Sequence, residues 1–191
     1  DLSDDVVLGW AQNGKTLEKA LREALSPNGK NTFPVFRTIT LGTFRDMKSL
    51  EKELENGGFR IGARAADIMT KPDFVLASER VDIDLVVLSV AGIGFPDGAT
   101  LREIYARAKK LGLDRCSAEC GPQFRIQYGD QPHGESLTIA MELVTDSGGH
   151  PSLFHVTHDS GVRLLSTYWS SLDDFWRGEC LFLFASPSTR T

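Results

Sequence analysis

Three cysteines, four histidines and a few paired acids are the residues of this chain whose types could do chemistry. A reactive thiol needs a neighbour that lowers its pKa, most often a histidine. Cys116 and Cys120 form a CxxxC pair, and Cys180 stands far from both. An odd, sparse set argues against a disulfide framework and reads as free thiols. A Cys116–Cys120 bridge or metal pair stays open, but a zinc site would need a second ligand pair that the sequence does not offer. A thiol or hydrolytic enzyme would therefore have to bring Cys116 or Cys120 to a histidine through the fold. No G-x-S-x-G motif marks a serine nucleophile.

His155, His158 and Asp159 are the one local cluster of metal-type ligands. Residues three apart on a strand face opposite sides, which disfavours a shared ion. His133 and His150 fall in turn-rich stretches. Asp82 with Asp84, and Asp173 with Asp174, read as solvated pairs rather than as the opposed carboxyls of a glycosidase. No acidic loop has the spacing of a calcium site. The segment from Gly92 to Gly98 sits between an apolar run and a capped helix, where a phosphate loop would lie. Its third glycine comes one residue late for GxGxxG, no Walker lysine follows, and Pro96 removes a donor. It reads as a plain turn. No complete catalytic constellation is present, and no cofactor or metal is expected.

One stretch has a different character. Residues 166–180 combine Tyr168, Trp169, Phe175 and Trp176 with Ser166, Thr167, Ser170, Ser171, Asp173, Arg177, Gly178 and Cys180. Aromatic rings give contact area at low entropic cost, and small polar residues give adaptable hydrogen bonds, as on antibody-like surfaces. The stretch shows neither helical nor strand period, so it is expected to be an exposed loop. The competing reading is that its large rings are core residues beneath a long loop.

The frame that must position these residues is of ordinary size. The chain has 191 residues, 41% hydrophobic and 25% charged, which suits one globular domain with at most a small appendage. Its net charge of −5 and scattered Lys and Arg disfavour a nucleic-acid surface. No apolar run is long enough for a membrane span, and no signal peptide is seen. The chain opens at Asp1 rather than Met, which leaves room for a missing upstream segment.

Residues 1–32 read as a helical appendage, with a short helix over 16–25 stopped by Ser26-Pro27-Asn28-Gly29. A strand is expected over 33–40. Thr43 is expected to cap a helix over 44–56, and a shorter helix follows over 61–69. Residues 74–76 read as a short strand. The run 84–90 gives the strongest strand signal, as a strand buried on both faces. Thr100 and Glu103 form a capping box for a helix ending at Gly112. After it, strands are expected over 123–128, 137–143, 153–156, 163–167 and 180–185, with turns at Asp130–Gly134 and Asp146–Gly149. Helices in the first half and antiparallel strands in the second make the fold class α+β.

Several stretches resemble a group of small proteins from uncultivated bacteria and archaea. They are Ile39-Thr40-Leu41-Gly42-Thr43, the segment from Val81 to Gly98, and Gly98-Ala99-Thr100 with Ile104-Tyr105-Ala106-Arg107-Ala108 and Leu111-Gly112-Leu113. Ala118-Glu119-Cys120-Gly121-Pro122-Gln123-Phe124-Arg125-Ile126-Gln127-Tyr128 extends the likeness, with Asp130-Gln131-Pro132, Gly134-Glu135 and Ile139-Ala140-Met141-Glu142. The likeness covers residues 33–185. The group varies most near its C-terminus and ends in a strand like Phe182-Leu183-Phe184. That layout is similar to the variable proteins of diversity-generating retroelements, in which an error-prone reverse transcriptase rewrites template adenines into the gene's 3′ end.

The resemblance implies a C-type-lectin-like domain over 33–191, with a variable region at about 163–185. It implies a non-enzymatic binding protein whose ligand is expected to be a protein, with a virion or cell surface among the possible settings. A C-type lectin fold is a scaffold and does not by itself imply sugar binding. Adenine mutagenesis of Asn codons permits Ser166, Thr167, Tyr168, Ser170, Ser171, Asp173, Phe175, Arg177, Gly178 and Cys180. It does not permit Trp169, Trp176 or Glu179, so the two Trp residues are expected to pack underneath as scaffold. The chain departs from the group in its non-basic tail and in Leu172, where the group has Pro.

Overall fold

A computed structural model describes residues 33–186. The helix expected over 16–25 and the appendage over 1–32 lie outside the described residues. From Arg37–Leu41 (β1) the chain runs through helix Met47–Asn56 (α1), Arg60–Ile61 (β2) and helix Ala63–Met69 (α2). Val81–Ser89 (β3), Ala99–Thr100 (β4) and helix Leu101–Lys110 (α3) follow, and then helix Cys120–Gln127 (α4). The remainder is Ser136–Ile139 (β5), Val144–Thr145 (β6), Pro151–Asp159 (β7), Val162–Trp169 (β8), Phe175–Trp176 (β9) and Leu181–Ala185 (β10). The protein is α+β.

Local chemistry sets the helix starts. Thr100 accepts from the Glu103 amide while the Glu103 carboxylate takes the Thr100 amide, the reciprocal box expected for α3. The cap of α1 is Asp46 rather than Thr43. Asp46 accepts from the Ser49 amide at 2.8 Å, and the Ser49 hydroxyl takes the Asp46 amide, so the helix begins three residues later than expected. Residues 123–127 of the strand expected over 123–128 belong instead to α4, and Tyr128 caps it. Its sequence shows no amphipathic period because Cys120 through Arg125 are all buried, and Pro122 fits a first turn that needs no amide donor. Residues 74–76 are irregular rather than strand.

One sheet runs in the order β1-β3-β10-β5-β7-β8-β2, with β6 on the end of β7. The last strand of the chain therefore lies mid-sheet, antiparallel to β3 and parallel to β5. Alternation gives the sheet two faces. Phe154, Val156, Ile139, Leu183 and Leu165 lie on one. Gly121 of α4 meets it so closely that an added Cβ would sit 2.7 Å from the Phe154 ring. The other face carries Leu88, Phe182, Phe184, Thr138, His155 and Tyr168, by the register of β3, β10, β5, β7 and β8. It is apolar and buried at the β10 end, and it turns polar towards β8.

Candidate contact site

The segment between β8 and β10 is fixed by backbone more than by side chains. The Ser170 amide donates to the Pro151 carbonyl at 3.0 Å. Arg102 and Leu101, at the start of α3, donate to the carbonyls of Leu172 at 2.8 Å and Asp174 at 3.0 Å. The β4–β9 ribbon pairs Ala99 with Trp176 and Thr100 with Phe175. Ala91 and Val90 donate to Gly178 at 2.8 Å and Cys180 at 3.0 Å. Four of these bonds use loop carbonyls, which every residue type has, and one uses an amide that every type but proline has. Side chains add Asp174, which takes the Ser171 amide and hydroxyl, the exposed Asp173–Arg102 ion pair at 2.9 Å, and the half-buried Leu172, Trp176 and Cys180, which pack against the core.

The side chains divide accordingly. Tyr168, Ser171, Asp173, Phe175 and Arg177 are exposed, while Ser166 and Cys180 are half-buried. Among the described residues, the exposed large aromatics all fall here: Tyr168 at 41%, Trp169 at 52% and Phe175 at 64%. Three expected contact residues do not reach the surface. Thr167 and Ser170 are buried, and so is Gly178, where an added Cβ would lie 2.3 Å from the Pro96 carbonyl oxygen.

The expectation of one exposed loop with both Trp residues beneath it also needs correction. Residues 166–169 belong to β8, so the loop begins only at Ser170. Tyr168 and Trp169 point to opposite faces of that strand. Trp169 is exposed, not scaffold under the loop. His150 stacks on its ring at 4.5 Å, and the Arg64 guanidinium lies 3.9 Å from the ring centre. Its indole donates to Asp146 at 3.3 Å. Asp146 also accepts the amides of His150 and Gly148, and with the Trp169 and His150 side chains these hold its carboxyl below the ordinary range. Only Trp176 sits as expected, half-buried at 4.9 Å from Phe182.

On the other face of β8, Tyr168 stacks on the buried His155 at 4.0 Å and meets Trp176 edge to face at 5.6 Å. Burial lowers the His155 pKa to about 4, so its ring is neutral at pH 7, and its Nδ1 has no partner. Beside these rings is a cleft of about 440 Å³, lined also by His133, Glu135, Thr138, Glu179 and Cys180. A charge reading of the sequence misses the cleft, because Glu135 and Thr138 come from strand and turn far upstream.

The remaining chemical candidates have structural partners. Cys116 and Cys120 are buried and unbridged. A hydrogen bond from the Cys120 thiol to Cys116, together with burial, pushes the Cys120 thiol well up, the reverse of nucleophile activation. His155 and His158 project to opposite faces of β7, and His158 Nδ1 lies 2.6 Å from the Gln131 carbonyl. Asp82 and Asp84 accept the hydroxyls of Thr40 and Thr38, each at 2.6 Å. The amides of Ile93, Gly94, Phe95 and Gly98 are bonded within their own turn and its flanks, so they do not form a phosphate cradle. No group of three metal-type ligands occurs among the described residues, and no described helix is long and apolar enough to cross a membrane. No protein-family model, curated protein or solved structure matches the chain.

Proposed function

We propose that the protein is a non-enzymatic binding protein, a variable protein of a diversity-generating retroelement built on a C-type-lectin-like domain. The observation that carries this reading is the backbone-held loop before β10. Five main-chain bonds and a two-residue ribbon hold residues 170–180. Its exposed side chains therefore contribute little to the fold and are free to vary. A surface built to be rewritten needs that separation of scaffold from contact. The exposed aromatics at 168, 169 and 175 add large rigid contact area among small polar neighbours. A protein ligand suits this composition better than a small molecule. An enzyme using Cys116 or Cys120 has little support, since both thiols are buried and the Cys120 thiol is pushed up.

Deep sequencing of the gene's 3′ end in its source population tests the reading. Substitutions traceable to template adenines are expected at Tyr168, Ser171, Asp173, Phe175 and Arg177. They should spare Trp176 and, by the packing described above, Thr167, Ser170 and Gly178. A 3′ end that varies no more than the rest of the gene overturns it.

A further inference from the structure

Cys116 and Cys120 are buried thiols that the binding-protein reading leaves without a role. Three residues separate them, and the turn between them closes on the Cys120 amide, which donates to the Ser117 carbonyl at 3.1 Å. The Cys120 thiol donates to Cys116, and the Cys116 thiol donates in turn to the Leu183 carbonyl at 3.5 Å. These two bonds hold the sulfurs beside each other where the first turn of α4 meets β10. The backbone around Cys116 is fixed as well, with its amide donating to the Ala140 carbonyl at 2.7 Å. The two residues are not equally enclosed. Cys120 is 0% exposed, whereas Cys116 borders a cleft of about 610 Å³ with Tyr105, Arg115, Glu142 and Phe184. The third thiol, Cys180, lies on the other cleft, beside Tyr168 and Trp176. It comes three residues before Leu183, roughly 10 Å along an extended chain and out of bonding range of Cys116.

We propose that Cys116 and Cys120 form a disulfide within the folded protein when a peroxide is the oxidant, and that Cys180 takes no part. Hydrogen peroxide is small enough to enter the cleft and reach the sulfur that borders it. Cys116, as thiolate, attacks one peroxide oxygen. The O–O bond breaks, the departing hydroxide leaves as water with the proton that Cys116 gave up, and Cys116 becomes a sulfenic acid. The Cys120 sulfur then attacks Cys116 Sγ, the S–O bond breaks, and the hydroxyl leaves with the Cys120 proton as a second water. Two thiols are oxidised and one peroxide is reduced to two waters. The hydrogen bond to Cys116, with burial, pushes the Cys120 thiol up, which suits the second of these roles and not the first. The Cys120 proton is needed until it leaves with the hydroxyl. The inference does not depend on the binding-protein reading. The bridge is the form the pair takes in an oxidising setting, where disulfides persist.

The test is mass spectrometry of the full chain, reduced, freed of reductant and exposed to hydrogen peroxide without denaturant. Catalase ends the reaction, and the protein is then unfolded and alkylated with N-ethylmaleimide. Trypsin places both cysteines on the peptide 116–125, apart from Cys180. That peptide is expected to be unalkylated and two hydrogens lighter than its reduced form, and dithiothreitol should return both of its alkylation sites. In Cys120→Ser, dimedone should trap the sulfenic acid on Cys116, because no second thiol resolves it. Full alkylation of the peptide after peroxide, a link to Cys180 or to a second chain, or a bridge that forms only in urea overturns the proposal, and the parent protein decides these whatever the stability of the variants. A dimedone adduct in Cys116→Ser with none in Cys120→Ser overturns the order of attack.

Discussion

Residues 170–180 and 181–185 are neighbours in sequence, yet they obey opposite rules. In β10, Phe182, Leu183 and Phe184 are all buried in mid-sheet, so both faces of the strand demand particular side chains. In the loop just before it, the backbone is bonded at Ser170, Leu172, Asp174, Gly178 and Cys180, and most side chains between those points face solvent. The first segment is specified by what its side chains fill, the second by where its peptide groups are tied. A protein that tolerates change at its surface needs both, side by side.

The largest expected effect is on the β10 side of that contrast. Phe182→Ala removes a ring packed against Trp176 at 4.9 Å and Phe184 at 6.1 Å. It should cost about 3–5 kcal/mol, read as a lowered midpoint in urea unfolding. A loss near zero would mean that the strand is not the fixed member of the pair.

His155 lies between the two regions, buried beneath Tyr168. Burial holds its folded pKa at about 4, below its ordinary 6.5. Between those values the unfolded chain binds a proton that the folded protein refuses. Its contribution is therefore full above about pH 6.5 and is lost as pH falls towards 4, on the order of 3 kcal/mol in all. In His155→Leu the stability–pH curve should be flatter across that window. Parallel curves for the two proteins would show that the ring is solvated and that the border is looser than its packing implies.

Gly98 ties the loop to the scaffold at closest approach. Its φ of 99° is unfavourable for L side chains, and a Cβ there would lie 2.5 Å from the Trp176 carbonyl oxygen. Gly98→Ala should cost about 1–3 kcal/mol and push the β4–β9 ribbon apart, visible as faster amide exchange at Trp176. Unchanged exchange would argue that the ribbon does not hold the loop.

Much of this contrast was legible in the sequence, but not all of it. The Thr100–Glu103 box and the apolar run of β3 use local chemistry, so they could be read directly. The helix over 123–127 is hidden in the sequence because burial on nearly all sides erases the helical period, leaving Phe124, Ile126 and Tyr128 as an apparent alternation. At the contact site, composition located the exposed aromatics but could not assign faces. Whether Trp169 points up or down depends on the register of β8 against β7, which pairs Ser152 with Trp169 across the sheet. The burial of Gly178 depends on Pro96, and the cleft on Glu135, contacts between distant residues that spacing does not encode.

The smallest predicted effect is the most telling for the contrast. Phe175 is 64% exposed, and Asp173 and Arg177 make only exposed ion pairs, with Arg102 and Glu179. Replacing all three by Ser leaves every main-chain bond of the loop in place. Each exposed pair is worth under about 1 kcal/mol, and surface changes away from special features usually stay within about 0.5 kcal/mol. The triple variant should therefore unfold within roughly 1–2 kcal/mol of the parent, a much smaller loss than the single Phe182→Ala change a few residues on. If the triple variant instead loses as much as Phe182→Ala, the loop depends on its side chains. A segment of that kind could not be rewritten freely, and the division between a tied backbone and free side chains would fail where the proposed function requires it.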